Sequence, residues 1–587
     1  MTLTSRGSQE RRNAMVEYLK QMSEIVSEST DPEQSSQALA AIVTEIKGKE
    51  SLIATDQKLS KVLEKLIDSN GATLAVVKAI FTQLNSCVLD LVYDQYGSHV
   101  FETILRAAAK VEADAELVGI VATFTDSISS DLFNLMADRR ATFVVRTALQ
   151  ILGGFALGLG EYMEEISKAV SSNETFSASF EQLLEASSSF DFETLECLAA
   201  FPHSSLTYQS AMILASKSRP ALAGNMVKCV LTSSSGRIDS LRVISFLDHS
   251  IKAKLMETAV SVTNQVDSTL SGRIIDELVG GNVLCSVDGS EDVVSPSDFF
   301  RAKFAFGFLQ AFISSLSDGK TLAKFVARWM TPAGMRDIVQ NGKGHGLGLI
   351  QKTAETLIRM IESQTVFFAN LCEAIHVEKD NVWMAVLSMN IASFAPDHLG
   401  VEAAIDESKF TPQGCLMMST LLQFKISSVQ PVVSHTKGLM EHLKSIDIES
   451  TRFLADMGPG RMLQTLMSAD SCVPSGMRSK IIRLFLLTDD ASVRLTKLAA
   501  DRRVGSWLIT TAWDSCDLAT KQSLGDALLT VEQLRDINWK VWKHCNLATF
   551  SRRNDEWTQS ETRKSKAHGY MKDIIGEGFR PNKHSRY

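Results

Sequence analysis

The sequence predicts an all-α protein in which short helices stack into a curved solenoid. Proline accounts for only 11 of the 587 residues, and because proline disrupts helix interiors, so low a content favours helix. The alternating apolar and polar pattern of half-buried strands does not recur along the chain. A helical motif does recur, and helical units that cannot bury their apolar faces alone must stack on one another.

Composition places the chain among globular, intracellular proteins. Apolar residues make up 45% of it and charged residues 22%, as in folded domains. Nine cysteines without a CxxC pair indicate reduced thiols. The first residues are too polar for a signal peptide, and no apolar run is long enough to cross a bilayer. We therefore expect a soluble protein without a membrane partner, and a monomer.

Charge is distributed unevenly. The net charge of −8 weighs against general binding of polyanions. Residues 541–587 nevertheless carry ten Lys and Arg against five Asp and Glu, a local charge of +5 that leaves about −13 on the rest of the chain. Any affinity for nucleic acid must therefore come from local basic surfaces and from contacts with bases.

The recurring motif is clearest at residues 94–105, "DQYGSHVFETIL". Ser98 and Glu102 are four residues apart and so share one helix face, with His99 beside them and an apolar stripe behind. We call the places of Ser98, His99 and Glu102 the first, second and third positions of a triplet. A hydroxyl, a ring and a carboxylate on one strip could meet the edge and face of a nucleobase, or simply face solvent.

Ten further segments repeat this layout, with irregular spacings of 23 to 68 residues between first positions. The eleven triplets are Ser60/Lys61/Glu64, Ser98/His99/Glu102, Thr142/Phe143/Arg146, Ser205/Leu206/Gln209, Gly272/Arg273/Asp276, Lys324/Phe325/Arg328, Leu347/Gly348/Gln351, Cys415/Leu416/Ser419, Gly460/Arg461/Gln464, Ser506/Trp507/Thr510 and Trp539/Lys540/Lys543. The small residues ahead of several triplets, which let neighbouring helices approach closely, are Gly97, Ala141, Ser204, Ser271 and Gly505. A HEAT-like or tetratricopeptide-like scaffold with solvent-facing triplets explains the pattern as well as nucleic-acid reading does.

The segment "YGSHVFETIL" resembles the second helix of a pumilio-type (PUF) RNA-binding repeat, in which two residues read a base edge and a third stacks on the base. In that resemblance Ser98/Glu102 and Ser60/Glu64 match a guanine-reading pair, and Ser205/Gln209 matches an adenine-reading pair. The ordered landmarks over about residues 45–580 are similar to the divergent nucleolar pumilio-repeat proteins of small-subunit ribosome biogenesis, the ninth nucleolar-protein family. These landmarks are "TDQKLSKVLEKLI", "YGSHVFE", "RRATFVVR", "PQGCLMMSTLL", "DRRVGSWLI" and "WKHCNLATFSRRNDEW".

The resemblance implies a U-shaped solenoid of about eleven pumilio-like repeats. It further implies a nuclear and nucleolar protein that binds pre-18S ribosomal RNA on the concave face and assists small-subunit precursor processing, together with proteins of the precursor particle. The residues expected to contact RNA are Ser60, Lys61, Glu64, Ser98, His99, Glu102, Thr142, Phe143, Arg146, Ser205, Gln209, Arg273, Lys324, Phe325, Arg328, Arg461, Gln464, Ser506, Trp507, Lys540 and Lys543. A HEAT-like protein–protein scaffold without RNA contact stays open as the alternative.

Five segments are predicted. They are an N-terminal helical or flexible segment (1–44), N-terminal repeats (45–170), divergent repeats with acidic Ser-rich insertions (171–298), C-terminal repeats (299–550) and a basic tail (551–587). The insertions, at 171–193 and 285–298, are expected to form loops or to flank helices. The tail interleaves cations with Trp557, Tyr570 and Phe579, which suits RNA contact or nuclear import.

Catalysis has no support in the sequence. A nucleophile elbow, a catalytic carboxylate pair and metal-ligand spacing are not found. We therefore expect no enzyme activity, no cofactor and no bound metal.

Overall fold

The computed structural model describes residues 15–21, 24, 32–69, 72–154, 174–278, 284–285, 292–293, 296–377, 381–396, 406–445 and 457–575. Within these ranges helix dominates, which confirms the all-α prediction. Strand Leu284–Cys285 pairs antiparallel with strand Asp292–Val293, and these two-residue strands do not alter the class. Every helix in the described ranges is too short or too polar to cross a membrane.

The chain forms two compact units, unit 1 up to Ser317 and unit 2 from Asp318. In each unit, one helix of every repeat packs against the corresponding helix of the next repeat, and we call this row of helices the ladder. The ladder helices of unit 1 are α1 (Leu59–Ile67), α2 (Gly97–Lys110), α3 (Ala141–Leu152), α4 (Pro202–Ser218), α5 (Ser250–Val266) and α6 (Ala305–Ser315). Those of unit 2 are α7 (Gly344–Arg359), α8 (Pro412–Leu421), α9 (Met457–Met467), α10 (Gly505–Ser515) and α11 (Trp539–His544).

The remaining helices, which we call outer helices, pack beside the ladder. In unit 1 they are Pro32–Ile46, Glu50–Ala54, Leu74–Asn85, Val88–Tyr93, Ala115–Ser130, Leu132–Ala137, Ser177–Ser188, Phe192–Ala199, Pro220–Leu231, Ser240–Leu247, Ser268–Arg273 and Pro296–Arg301, with a 3-10 turn at Glu174–Phe176 and a π-helical turn at Ile274–Leu278. In unit 2 they are Gly319–Trp329, Pro332–Gly342, Gln364–Ala374, Val382–Leu387, Gln430–Ser434, Thr436–Ser445, Ser475–Leu486, Ala491–Ala500, Leu518–Leu529, Leu534–Ile537, Leu547–Arg552 and Asn554–Ile575, with 3-10 turns at Ile361–Ser363, Ile391–Phe394, Glu407–Lys409 and Ile426–Ser428.

Each ladder helix packs through a fixed set of positions. In α2, Val100, Phe101, Ile104 and Leu105 lie two, three, six and seven residues after the first position, and all four are buried. The Phe101 ring stacks on Phe124 of an outer helix with 5.6 Å between ring centroids. Because these positions occupy one side of the helix, they hold the second position of the triplet on the side away from the core.

The small residue ahead of the triplet has a steric role. A Cβ atom on Gly97 would lie 2.6 Å from the backbone oxygen of Leu91, and one on Gly505 would overlap the backbone of Leu498. The ladder helix therefore touches the backbone of the preceding short helix where it begins. The predicted close approach at Gly97 and Gly505 is confirmed.

Replacing Gly97 by Ala should destabilise the protein by about 1–3 kcal/mol, because the added methyl group meets a backbone oxygen that has no room to move. Chemical or thermal unfolding measures the change. Gly119, in the outer helix Ala115–Ser130, is a matched control because a Cβ there meets no atom within 4 Å. Gly119→Ala should stabilise the protein by about 0.5–1 kcal/mol. Equal effects of the two substitutions would contradict this account of the helix contact.

The acidic Ser-rich stretch at 171–193 contains a repeat helix, so the prediction of a loop there is wrong. Helix Ser177–Ser188 buries Phe180, Leu183 and Leu184. Two of its serines, Ser179 and Ser187, are buried beside this apolar set, so a high serine content does not prevent the segment from packing as a helix. Most of the second stretch, 285–298, lies outside the described residues.

Part of the predicted basic tail, residues 551–587, forms a helix that packs on the fold. Helix Asn554–Ile575 packs on helix Leu547–Arg552, and Trp557 is only 1% exposed. Its ring meets Phe550 at 4.8 Å between centroids, so the expectation that Trp557 contacts RNA is wrong. The side chain of Tyr570, and Phe579 altogether, lie outside the described residues.

Candidate nucleic-acid interface

Nine of the eleven predicted triplets lie at one equivalent place on ladder helices. Two do not, and for these the predicted placement is wrong. Gly272, Arg273 and Asp276 lie on the outer helix Ser268–Arg273 and the π-helical turn that follows it. Lys324, Phe325 and Arg328 lie on the outer helix Gly319–Trp329.

The residues of these two triplets were predicted to contact RNA, but the structure places them in other surroundings. Arg273 forms an ion pair with Glu277, with 2.8 Å between Nε and Oε1. Phe325 is enclosed in the core at 1% exposure, so it cannot stack on a base. Lys324 and Arg328 are exposed on the outer helix, away from the triplets of the ladder.

Two ladder helices, α5 and α6, carry no triplet that was predicted from the sequence. In α5 the triplet positions are taken by Ala253, Lys254 and Glu257, and the apolar set that follows is Leu255, Met256, Ala259 and Val260. In α6 they are taken by Phe306, Gly307 and Gln310, followed by Phe308, Leu309, Phe312 and Ile313. The apolar positions keep the spacing seen in α2. That spacing, rather than the polar triplet, is the signal that identifies these repeats.

First positions are buried on ten of the eleven ladder helices, and the exception is Trp539 on α11 at 51% exposure. Ser60, Ser98 and Ser205 are at most 3% exposed. The hydroxyl of Thr142 lies 2.8 Å from that of Thr207 on α4. The exposed part of most triplets is therefore formed mainly by the second position, whereas the sequence had predicted that all three face outward. Third positions are more enclosed, and Glu102 and Gln209 are only 9% and 8% exposed.

Second positions are mostly exposed and carry rings or cations. The His99 side chain is 64% exposed, and Phe143 and Trp507 are 40% and 47% exposed. Lys61, Lys254, Arg461 and Lys540 are also exposed. Although the chain is acidic overall, four of the eleven second positions are Lys or Arg and none is Asp or Glu. Rings and cations at a repeated position suit stacking on bases and contact with phosphates.

The ladder helix α3 carries both an aromatic ring and a cation. The Arg146 guanidinium lies over the Phe143 ring, 4.7 Å from its centroid. Burial lowers the pKa of Arg146, and the nearby Glu102 carboxylate opposes that shift. The guanidinium and ring together form a flat cationic surface on α3, a good stacking partner for a nucleobase.

Third positions on α1 and α2 form an acceptor cluster. Glu102 accepts hydrogen bonds from Arg106 at 2.7 Å and from Thr147 on α3 at 3.3 Å. Burial raises the pKa of Glu64, and the Glu102 carboxylate adds to the rise while His99 opposes it. Carboxylates held this way can accept from the N–H groups of a guanine edge.

Because the pKa of Glu64 is raised in the fold, its charged form costs stability above that pKa, and the cost disappears at pH values below the ordinary 4.5. Glu64→Gln should therefore raise the melting temperature at pH 7, with a smaller gain as the pH falls toward 4. Melting curves from pH 4 to 8 test this expectation. A gain that does not change with pH would contradict it.

Part of the chain is similar in sequence to known proteins built from PUF repeats. Residues 48–190 match the model of a NOP9-like PUF repeat domain. Nucleolar protein 9 of Kluyveromyces lactis is 30% identical over 142 residues, 22% of this chain and 21% of that protein. Nucleolar protein 9 of Eremothecium gossypii is 35% identical over 102 residues, 17% of this chain and 15% of that protein. The chain thus spans about a fifth or less of the curated relatives that it matches.

Solved structures extend the likeness over most of the chain. The protein in "Structure of APUM23-GGAGUUGACGG" superposes with a TM-score of 0.71 at 17% identity, covering 93% of this chain and 98% of that one. The protein in "Structure of APUM23-GGAUUUGACGG" gives a TM-score of 0.70 at the same identity and coverage. At this identity the likeness shows a shared fold.

Proposed function

We propose that the protein binds single-stranded RNA along its ladder helices. Residues 48–190 match the model of a NOP9-like PUF repeat domain, and the chain shares its fold with the protein in the APUM23 structure. The RNA is a precursor of 18S ribosomal RNA, bound in the nucleolus. The name of the nucleolar protein 9 relatives supports the location, and the 18S target is what the resemblance of the sequence landmarks implies. The protein acts by occupancy, in company with proteins of the small-subunit precursor, and not as an enzyme.

The repeated exposure of rings and cations at the second position carries the proposal. Within each unit the ladder helices present the second position in a similar way, so successive bases of one strand can meet successive helices of that unit. His99, Phe143 and Trp507 stack on bases, which have a flat face whatever their identity. Lys61, Arg461 and Lys540 meet phosphates, which fix the strand without reading its sequence.

The side chains at the third positions determine which base is preferred. The Glu102 carboxylate accepts from guanine N–H groups, and the Gln209 amide can donate to and accept from an adenine edge. Several third positions, such as Ser419 and Thr510, are too short for an equivalent contact. A few steps of the ladder therefore read sequence, and the others bind backbone and shape. An RNA segment held this way, near the 3′ end of 18S, is shielded from premature nucleolytic cleavage.

A HEAT-like scaffold for proteins is the alternative. Its ladder face would have no reason to exclude carboxylates from the second position in an acidic chain, whereas an RNA surface does. The cations at this position therefore favour RNA.

Binding to pre-18S fragments tests the proposal. We expect the purified protein to bind single-stranded fragments, and a matched duplex more weakly, in fluorescence anisotropy with heparin present. Crosslinking in cells followed by sequencing of the bound RNA should recover pre-18S sequence. Equal affinity for single strands, duplex and heparin would contradict sequence-reading RNA binding. Crosslinks that avoid pre-18S RNA would overturn the target alone.

A further inference from the structure

Four third-position side chains are bonded to a threonine on the next ladder helix. The Thr147 hydroxyl donates to Glu102 Oε2 at 3.3 Å, and the Thr258 hydroxyl donates to Gln209 Oε1 at 2.9 Å. In unit 2, Gln351 Nε2 donates to the Thr420 hydroxyl at 2.8 Å, and Gln464 Nε2 donates to the Thr511 hydroxyl at 3.2 Å. The contact thus recurs in both units.

The threonines occupy one place in the repeat. Each lies five residues after the first position of its own helix: Thr147 after Thr142, Thr258 after Ala253, Thr420 after Cys415 and Thr511 after Ser506. A hydroxyl both donates and accepts, so one residue type at this place can hold either a carboxylate or an amide. The same bond in four repeats of unlike sequence indicates a shared purpose.

We propose that Thr147, Thr258, Thr420 and Thr511 are positioning residues for base recognition. Each fixes the Glu or Gln of the preceding repeat in the conformation that meets the base edge. The choice of base at one step of the ladder is therefore set by residues of two successive repeats. This inference rests on the proposed function, because it concerns the side chains that meet RNA.

The physical reason is the freedom of the side chains. Glu and Gln turn about three bonds, and that freedom is lost when they bind a base. A hydrogen bond to the next helix removes part of that freedom before RNA binds. The hydroxyls of Thr147 and Thr420 are bonded to Glu102 and Gln351, so we expect these two threonines to act on RNA through those side chains.

Thr147→Val is the informative variant, because valine keeps the shape of threonine and removes the hydroxyl. The probe is a randomised single-stranded RNA pool, and the readout is the base preference at each site in the bound fraction. The base facing Glu102 is identified first, as the site where Glu102→Gln changes the preference. At that site we expect Thr147→Val to reduce guanine preference by about 3- to 10-fold, and Thr147→Ser to retain it.

Thr103 provides the matched control. It lies five residues after Ser98, but its hydroxyl donates to the backbone oxygen of His99 at 2.9 Å. Thr103→Val should leave the preference at every site unchanged. In a Glu102→Ala background, Thr147→Val should have no further effect, since the residue through which it acts is gone.

The outcomes separate the two proposals. If the parent protein binds RNA with a preference that Glu102→Gln removes, and Thr147→Val keeps that preference, the threonine role is wrong and RNA reading stands. An equal loss with Thr103→Val also overturns it, because the effect is then general. If the parent binds no RNA from the pool, both proposals fail. Melting curves of each variant show whether the fold is intact.

Discussion

Replacing Glu102 by Gln should weaken binding to a guanine-containing single-stranded RNA by about 10- to 100-fold, or about 1–3 kcal/mol. In the proposed complex the carboxylate accepts two hydrogen bonds from a guanine edge, whereas an amide would present a donor in place of one of these acceptors. The loss should be smaller for RNA with adenine at the same place. Fluorescence anisotropy with the two RNAs measures both values.

The substitution is chosen to leave the fold intact. Glutamine keeps the length of glutamate and can still accept from Arg106 and Thr147, which contact Glu102 at 2.7 and 3.3 Å. The free energy of unfolding should change by less than about 1 kcal/mol, as for other partly exposed ion pairs. Unchanged affinity for the guanine RNA in the folded variant would show that Glu102 does not read a base.

Replacing Lys61, Arg461 and Lys540 together by Gln should weaken RNA binding by roughly 10- to 100-fold at 0.15 M salt, with little dependence on sequence. Each cation that meets a phosphate contributes about 0.7 to the slope of log affinity against log salt for single strands, so the slope should fall by about 2. These side chains are exposed second positions, and their loss should leave stability nearly unchanged. A salt titration of the dissociation constant measures the slope.

A triple variant with the same change of charge is the control. Lys47, Lys437 and Lys480 are exposed and lie outside the ladder, Lys437 and Lys480 on outer helices and Lys47 in the turn after one. Their replacement by Gln should leave the slope and the affinity close to the parent values. If both triple variants lose affinity equally, net charge and not the ladder governs binding.

The fold was predictable because its signals are repeated. Scarce proline and a recurring apolar spacing predict stacked helices, and small residues such as Gly97 mark where one helix touches the backbone of another. Such signals reinforce one another over eleven units. The two misplaced repeats show where they fail: the segments around Arg273 and Lys324 carry polar triplets by chance, and the apolar set of α5 and α6 identifies the true ladder helices.

The interface was predictable only in outline. Exposure of His99, Phe143 and Trp507 follows from the helical period, because the second position lies opposite the buried set. Burial of the first position does not follow, since it depends on how closely the next ladder helix approaches. The bond from Thr147 to Glu102 joins residues 45 apart in the sequence, and nothing in the local pattern of either helix indicates the other.

The location of bound RNA is the most direct test of the central claim, which is that the exposed second positions of the ladder and the third positions beside them meet a single strand. Ultraviolet crosslinking to a pre-18S fragment, followed by mass spectrometry of the crosslinked peptides, locates it. We predict crosslinks at His99, Phe143 and Trp507, lost on competition with unlabelled RNA. Crosslinks confined to the outer helices, with these three residues unmodified, would contradict the account.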